Sequence, residues 1–335
     1  MKPKATYIIA TYARADALEA TLVSLMKQDC TSWEAIVVGD NCDAETEQAI
    51  RSIADFRIRY YNLPLRCGEQ SIPNSFGLLL AEGEFVCFLN HDDVLFGDAL
   101  SHQLVVMEEQ NADMLFSRFG VVSEMKESGE QVLPVVSLVL PAIRSTPMLF
   151  SPNSIGLDPS SFWLVRADFA KKVGVWRPAN EIHRFPIGHW LARAGRLNPK
   201  IYFDQQIAGL QFLTQYASSE HRRGVPAYLS RSFAHQAMKE LLITYHYTEL
   251  RDMLALGELI PHDLPFSFWY RLQVTFGAWL YQTTNIDCFE VKCLILGRKR
   301  GASMSDASIR RVGKSLGRAT MDQILRLDPE SIRVV

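Results

Sequence analysis

Short unbroken apolar runs alternate with amphipathic stretches over the first part of the chain. Ala5 to Ala10 is rich in β-formers and reads as a first strand. Trp33 to Val38 reads as a second, Ile58 to Tyr61 as a short third and Phe85 to Leu89 as a fourth. Apolar runs with no charge inside them are the pattern of strands covered on both faces. Between them, Leu18, Leu22, Leu25 and Met26 fall at i, i+4, i+7 and i+8, which predicts a helix that Asp16 can cap. Ala44 to Ala54, acidic at Glu45 and Glu47, and Asn74 to Ala81 read as two further helices. The order β-α-β-α-β-α-β predicts parallel strands joined by right-handed crossovers, an α/β fold.

The pattern loosens further on. Pro134, Pro141, Pro147 and Pro152 interrupt Val122 to Ser151, which reads as loops and short strands. From about Arg231 the chain reads as helical, with Phe233 to Leu256 and Phe266 to Tyr281 apolar-rich at helical spacing. Arg271 and Gln273 interrupt the second stretch, so a membrane span is not predicted. Core packing or a partner-helix face is one reading of it, and interfacial membrane contact is the other. Lys292 to Arg318 then holds eight basic residues against one acid, Asp306. Such a run is a solvated face or, together with the aromatic stretch, a surface for anionic lipid headgroups.

Composition narrows the function classes. A chain of 335 residues that is 48% hydrophobic can bury a sizeable core, and a net charge of −2 argues against nucleic acid as a partner. The six cysteines show no CxxC spacing, which predicts free thiols in a reducing compartment and no zinc site. Met1-Lys2-Pro3-Lys4 runs straight into the first strand without a signal-peptide pattern. The expected localisation is cytoplasmic, or peripheral at the inner face of the membrane.

The candidate chemistry lies where strands end. The fourth strand stops at Asn90-His91-Asp92-Asp93, and the second at Gly39-Asp40-Asn41-Cys42-Asp43. In an open parallel sheet these ends share one edge, where ligands bind. Adjacent carboxylates repel unless a cation or donors satisfy them, and Mg²⁺ or Mn²⁺ carrying phosphates suits oxygen ligands. The competing reading is that Asp92 or Asp93 caps a helix starting near Val94. The first strand is followed by Thr11-Tyr12-Ala13-Arg14 rather than GxGxxG, and no GxxxxGK[ST] occurs, which argues against a dinucleotide fold and a P-loop NTPase.

In order and spacing, three pieces resemble family 2 glycosyltransferases of the GT-A fold. They are Ile8-Ile9-Ala10-Thr11-Tyr12, Val37-Val38-Gly39-Asp40-Asn41-Cys42-Asp43, and Ala81 to Asp93. The resemblance implies a mostly parallel Rossmann-like sheet flanked by helices and carrying a helical C-terminal extension. It divides the chain into a nucleotide-sugar half (1–120), an acceptor half (121–230) and that extension (231–335). It implies that Asp40 contacts the base, usually uracil, and that Asp92 holds Mn²⁺ or Mg²⁺ on the diphosphate. Asp93 would be a second metal or ribose contact, and Ala10, Thr11, Tyr12, Asn74, Asn90 and His91 would line the donor site. Asn90 stands where the family's metal-binding motif usually begins with Asp. The loop Arg66-Cys67-Gly68-Glu69-Gln70 is similar to the family's stretch after the third strand, or else an ordinary surface loop.

Further on, Asp158 to Asp168 and Gly174-Val175-Trp176-Arg177 resemble the family's later strand and its Gly-x-Trp turn. Pro186 to Gly195 sits where inverting members carry an acid before a Trp-Leu-x-Arg helix; here His189 takes that place. A neutral imidazole can accept the acceptor's proton. Glu181 nearby is the other candidate base, and loss of the base the third possibility. Arg193 either reaches the diphosphate or makes a salt bridge on its helix. The leading expectation is a metal-dependent, inverting transferase that uses a nucleotide-diphospho-sugar, UDP-linked, and a glycan, lipid-linked or small-molecule acceptor. The alternative is a non-catalytic GT-A-like module that binds nucleotide-sugar or glycan, or scaffolds a partner. A sugar-nucleotidyltransferase is the third reading, weakened by the missing Gly-rich loop.

Overall fold

The computed structural model describes residues 2–128, 131–140, 159–182, 185–212, 232–254, 256–259, 323–324 and 326–335, with scattered positions between 272 and 296. Strands β1 (Ala5–Thr11), β2 (Trp33–Gly39), β3 (Ile58–Asn62) and β4 (Phe85–Phe88) form where the apolar runs predict them. They pair in parallel in the order β3-β2-β1-β4. Successive residues of β1 feed opposite faces, as a period of two requires. Tyr7 and Ile9 pack with Leu18, Leu22 and Leu25 of helix α1 (Ala15–Met26), while Ile8 packs with Leu78 of helix α3 (Ser71–Leu80) on the other side. Helix α2 (Ala44–Ile53) is capped by Asp43, whose carboxylate accepts from the Thr46 amide at 3.1 Å.

The sheet continues through strands of mixed direction. Strands β5 (Asp93–Leu95), β6 (Met114–Ser128), β7 (Gln131–Leu140), β8 (Trp163–Arg166), β9 (Ile201–Phe212) and β10 (Leu256–Leu259) extend it beyond β4. Helix α4 (Ala99–Glu109) follows β5. Helices α5 (Ala167–Val173) and α6 (Pro186–Arg196) cover the α3 face. Helix α7 (Ser232–Thr244) crosses α1, with Met238, Leu241 and Leu242 against Ala20 and Val23 and a Lys239–Glu19 ion pair. Helix α8 (Tyr247–Met253) follows it. The short helix α9 (Pro329–Ile332) leads to residues that dock on β3, where the Val334 amide donates to the Tyr60 carbonyl at 2.8 Å.

Several expectations change. Asp16 lies in the first turn of α1, and Arg14 occupies the N-cap position without a side-chain cap bond. Helix α3 begins at Ser71, three residues earlier than the pattern suggests, because Pro73 is at home in a first helical turn. Neither Asp92 nor Asp93 caps a helix: Val94 is in β5 and the next helix starts at Ala99. The stretch from 122, read as loops and short strands, carries the long β6–β7 hairpin. Pro134 is tolerated there because β10 joins β7 only from Val136 onward, leaving Pro134 on an edge. Residues 256–259, read as the end of a helix and its continuation, form a strand.

The aromatic stretch 266–281 and the basic run 292–318 lie, apart from scattered positions, outside the described residues. Cys30, Cys42, Cys67 and Cys87 are free thiols. No described helix is long and apolar enough to cross a membrane.

Candidate active site

The ends of β1, β2 and β4 open into one cleft of about 290 Å³. Its walls are Ala10 and Thr11 of β1 and Tyr12 after it, Asp40 after β2, Arg66, Gly68, Glu69, Gln70 and Pro73 from the loop and start of α3, and Asn90, His91 and Asp92 after β4. Asp40 and Asp92, 52 positions apart in sequence, therefore face the same space. Parallel pairing makes this so, since every strand delivers its carboxyl end to one edge.

Asp40 is fixed in place. Its Oδ1 accepts from the Cys67 amide at 2.5 Å and its Oδ2 from the Gly68 amide at 2.8 Å. Gly68 has φ +80°, the left-handed region glycine adopts freely, and this lets consecutive amides reach one carboxylate. Burial raises the Asp40 pKa; the two amides and the Arg66 charge oppose it. The Arg66 guanidinium lies 3.6 Å from the centre of the Tyr12 ring, so the loop closes over the end of β1. Glu69 accepts from the Ser71 amide at 3.0 Å and from the Ala179 amide at 3.1 Å, joining the cleft wall to the turn that carries Glu181.

The four residues after β4 divide by direction. Asp92 lines the cleft, and its Oδ2 accepts from Arg14 Nη1 at 2.8 Å. Burial pushes its pKa up, but His91, Arg14 and His235 outweigh burial and hold it below the usual carboxylate value. Asp93 is 1% exposed and lies beneath the cleft, not among its lining residues. Its Oδ2 accepts from Asn90 Nδ2 at 2.8 Å and from the Ser161 hydroxyl at 2.5 Å. Burial, with the Asp92 charge beside it, pushes Asp93 well up. The His91 Nδ1 and the Thr11 hydroxyl are 3.1 Å apart, and burial lowers His91 to about 4, so the ring is neutral at physiological pH.

The other expected residues lie elsewhere. Asn74 is buried in α3 and does not line the cleft. Arg193 donates to the Val173 carbonyl at 2.9 Å and to the Val175 carbonyl, clamping the turn after α5 rather than facing the cleft. His189 is 9% exposed on α6. Its neighbour Trp190 packs with Trp176 on Phe88 of β4, with ring centres 5.5 and 4.9 Å from Phe88, which seats α6 against the strand that leads to Asn90. Glu181 is exposed. Arg14, Ser161 and His235 escaped sequence reasoning. The His235 Nε2 donates to the Asp92 carbonyl at 3.1 Å from 143 positions away, and no local pattern announces such a contact.

The sequence model of glycosyl transferase family 2 matches residues 6–174. Poly(ribitol-phosphate) beta-N-acetylglucosaminyltransferase TarP of Staphylococcus aureus is 30% identical over 122 residues, 35% of this chain and 37% of the relative. The GalNAc(5)-diNAcBac-PP-undecaprenol beta-1,3-glucosyltransferase of Campylobacter jejuni is 37% identical over 102 residues, 30% of this chain and 33% of the relative. The chain thus spans between a third and a half of the length of the curated relatives it matches first. The crystal structure of S. aureus TarS superposes with a TM-score of 0.50 at 17% identity, covering 93% of this chain and 55% of that one, a likeness of fold. With its family match covering half the chain and its sheet of the expected mostly parallel α/β type, this protein belongs to glycosyl transferase family 2.

Proposed function

We propose that the protein transfers a sugar from a nucleotide-diphospho-sugar, UDP-linked, to an acceptor hydroxyl with inversion at the anomeric carbon. The observation that carries this is the meeting of Asp40 and Asp92 across one cleft at the carboxyl edge of the parallel strands. Asp40 and the 66–70 loop it holds form the base end, with Tyr12 and Arg66 offering a flat cationic surface to a nucleobase. Asp92 forms the diphosphate end. The TarP and Campylobacter relatives are named as beta-transferases, which supports inversion.

The residues present fit a divalent cation that arrives with the diphosphate, not a preformed cage. Among the described residues no group of three His, Cys, Asp or Glu side chains converges on one point. Asp92 offers one carboxylate to the cleft, and Mg²⁺ and Mn²⁺ are commonly held by one or two carboxylates together with substrate phosphates. When bound, Mn²⁺ or Mg²⁺ neutralises charge developing on the leaving diphosphate. The bond from the anomeric carbon to the phosphate oxygen breaks, and its electron pair leaves with the diphosphate. The acceptor oxygen bonds to the opposite face and its proton passes to a base. His189 is taken as that base from the place it holds in the family resemblance, although it is not among the residues lining the cleft; Glu181 is the alternative base.

A non-catalytic nucleotide-sugar-binding module is the second reading, favoured by Asn90 in place of an acid and by a cleft with Asp92 alone at its diphosphate end. The deciding experiment is thermal melting with UDP, with and without Mn²⁺, alongside UDP release from a UDP-sugar. The transferase reading expects a metal-dependent rise in Tm with UDP, lost in Asp92→Asn, together with turnover. A rise in Tm without turnover on any acceptor tested favours the module. No rise with any nucleoside diphosphate sinks both.

A further inference from the structure

Arg14 lies buried behind the cleft, against Asp92, and the transfer reaction does not use it. It sits where β1 gives way to α1, after Ala13, whose φ of +46° turns the chain in the left-handed region. Its side chain is 3% exposed and its Nη1 is 2.8 Å from Asp92 Oδ2. Its Nε and Nη2 are buried and make no hydrogen bond among the described residues, so Asp92 is the group that holds this guanidinium. A buried arginine with one partner is strongly committed to that partner. Asp93 cannot take over, because its carboxylate is engaged by Asn90 and Ser161 beneath the cleft.

At this end of the cleft the Arg14 guanidinium and the Asp92 carboxylate therefore already offset one another. A divalent cation arriving alone meets a carboxylate whose Oδ2 is taken, and a like charge a few ångströms behind it in a poorly hydrated site, where repulsion is strong. A nucleotide-sugar diphosphate brings two negative charges and phosphate oxygens as ligands, and then both cations are accommodated. We propose that Arg14 is a resident counter-cation that keeps Asp92 closed to divalent metal until a diphosphate is bound, so that metal and nucleotide enter this site together. Arg14 is thus a positioning residue acting through Asp92, and the inference rests on the reading of Asp92 as the carboxylate that holds the metal.

The test is Mn²⁺ binding to the full chain, followed by the electron paramagnetic resonance signal of free Mn²⁺, with and without UDP. Without UDP, Arg14→Gln is expected to bind Mn²⁺ at least about ten-fold more tightly than wild type, a gain of about 1.4 kcal/mol. Arg14→Lys, which keeps the charge, is expected to bind as weakly as wild type. Arg14→Met keeps the buried stem without the charge and carries the same expectation as Arg14→Gln, should that variant not fold. An arginine that served only to orient Asp92 for the metal would weaken metal binding when removed. Equal or weaker Mn²⁺ binding by the neutral variants without UDP overturns the inference while leaving the transferase reading intact, provided wild type binds Mn²⁺ with UDP. No Mn²⁺ binding in any arm, UDP included, overturns both the inference and the role of Asp92.

Discussion

At the scale of single residues, the site is a set of carboxylates sorted by their surroundings. Asp40 is held by two amides, Asp92 by a guanidinium, Asp93 by an amide and a hydroxyl beneath the surface. Burial raises both Asp40 and Glu69 above their ordinary values, against the hydrogen bonds they accept. The folded protein therefore binds these protons more tightly than the unfolded chain. The stability they contribute is fully present below the ordinary carboxylate pKa and is lost as pH rises through their raised values. Glu69→Gln is accordingly expected to flatten the fall in Tm as pH rises above the ordinary carboxylate range, measured against wild type in the same buffers. His189 calls for kinetics. If it is the base, His189→Ala lowers turnover by about 10² to 10⁴ while UDP still raises the Tm. Unchanged turnover in that variant, with loss in Glu181→Gln, moves the role to Glu181.

At the scale of elements, close approach matters more than propensity. Gly77 lies in the interior of α3, where alanine would ordinarily gain about 1 kcal/mol of helix propensity. A Cβ built there would stand 2.4 Å from Ile8 Cγ2, on a central strand with no exposure to yield into. Overpacking of this kind costs about 1–3 kcal/mol, so Gly77→Ala is expected to lower the Tm despite its better propensity, and melting curves check the sign. The β6–β7 hairpin makes the complementary point. Its Pro134 and uneven polarity concealed two strands of 15 and 10 residues, because their pairing partners β8, β9 and β10 come later in the chain. Helix α2 and strands β1 to β4 were legible because their signals are local: an acidic first turn at Glu45 and Glu47, an apolar run, a turn cluster.

At the scale of the whole molecule, the chain closes on itself. Leu327 and Ile332 pack beside Ile324, Tyr61 and Phe76, and the tail bonds to the edge of β3 through Tyr60. Arg51 Nη2 donates to the Val334 carbonyl at 2.8 Å. An uncovered sheet edge is a template for association. Truncation after Leu327 is expected to lower the Tm by a few degrees and to promote self-association, read by light scattering, whereas unchanged scattering would show that the edge needs no cover.

Sequence by itself determined the parallel βα order, the strands from β1 to β4, and the placing of Asp40 and Asp92 at strand ends that must share an edge. These follow from residue periodicity and from the handedness of crossovers, both properties of neighbouring residues. Tertiary structure decided which carboxylate the cleft receives. Asp92 and Asp93 are chemically alike and adjacent, but Asp92 lies in the turn after β4 while Asp93 opens β5, whose pairing with β9 holds it beneath the cleft. It also decided that Asp92 meets Arg14 from 78 positions away, where β1 and β4 end side by side, and His235 from 143, where α7 packs on α1.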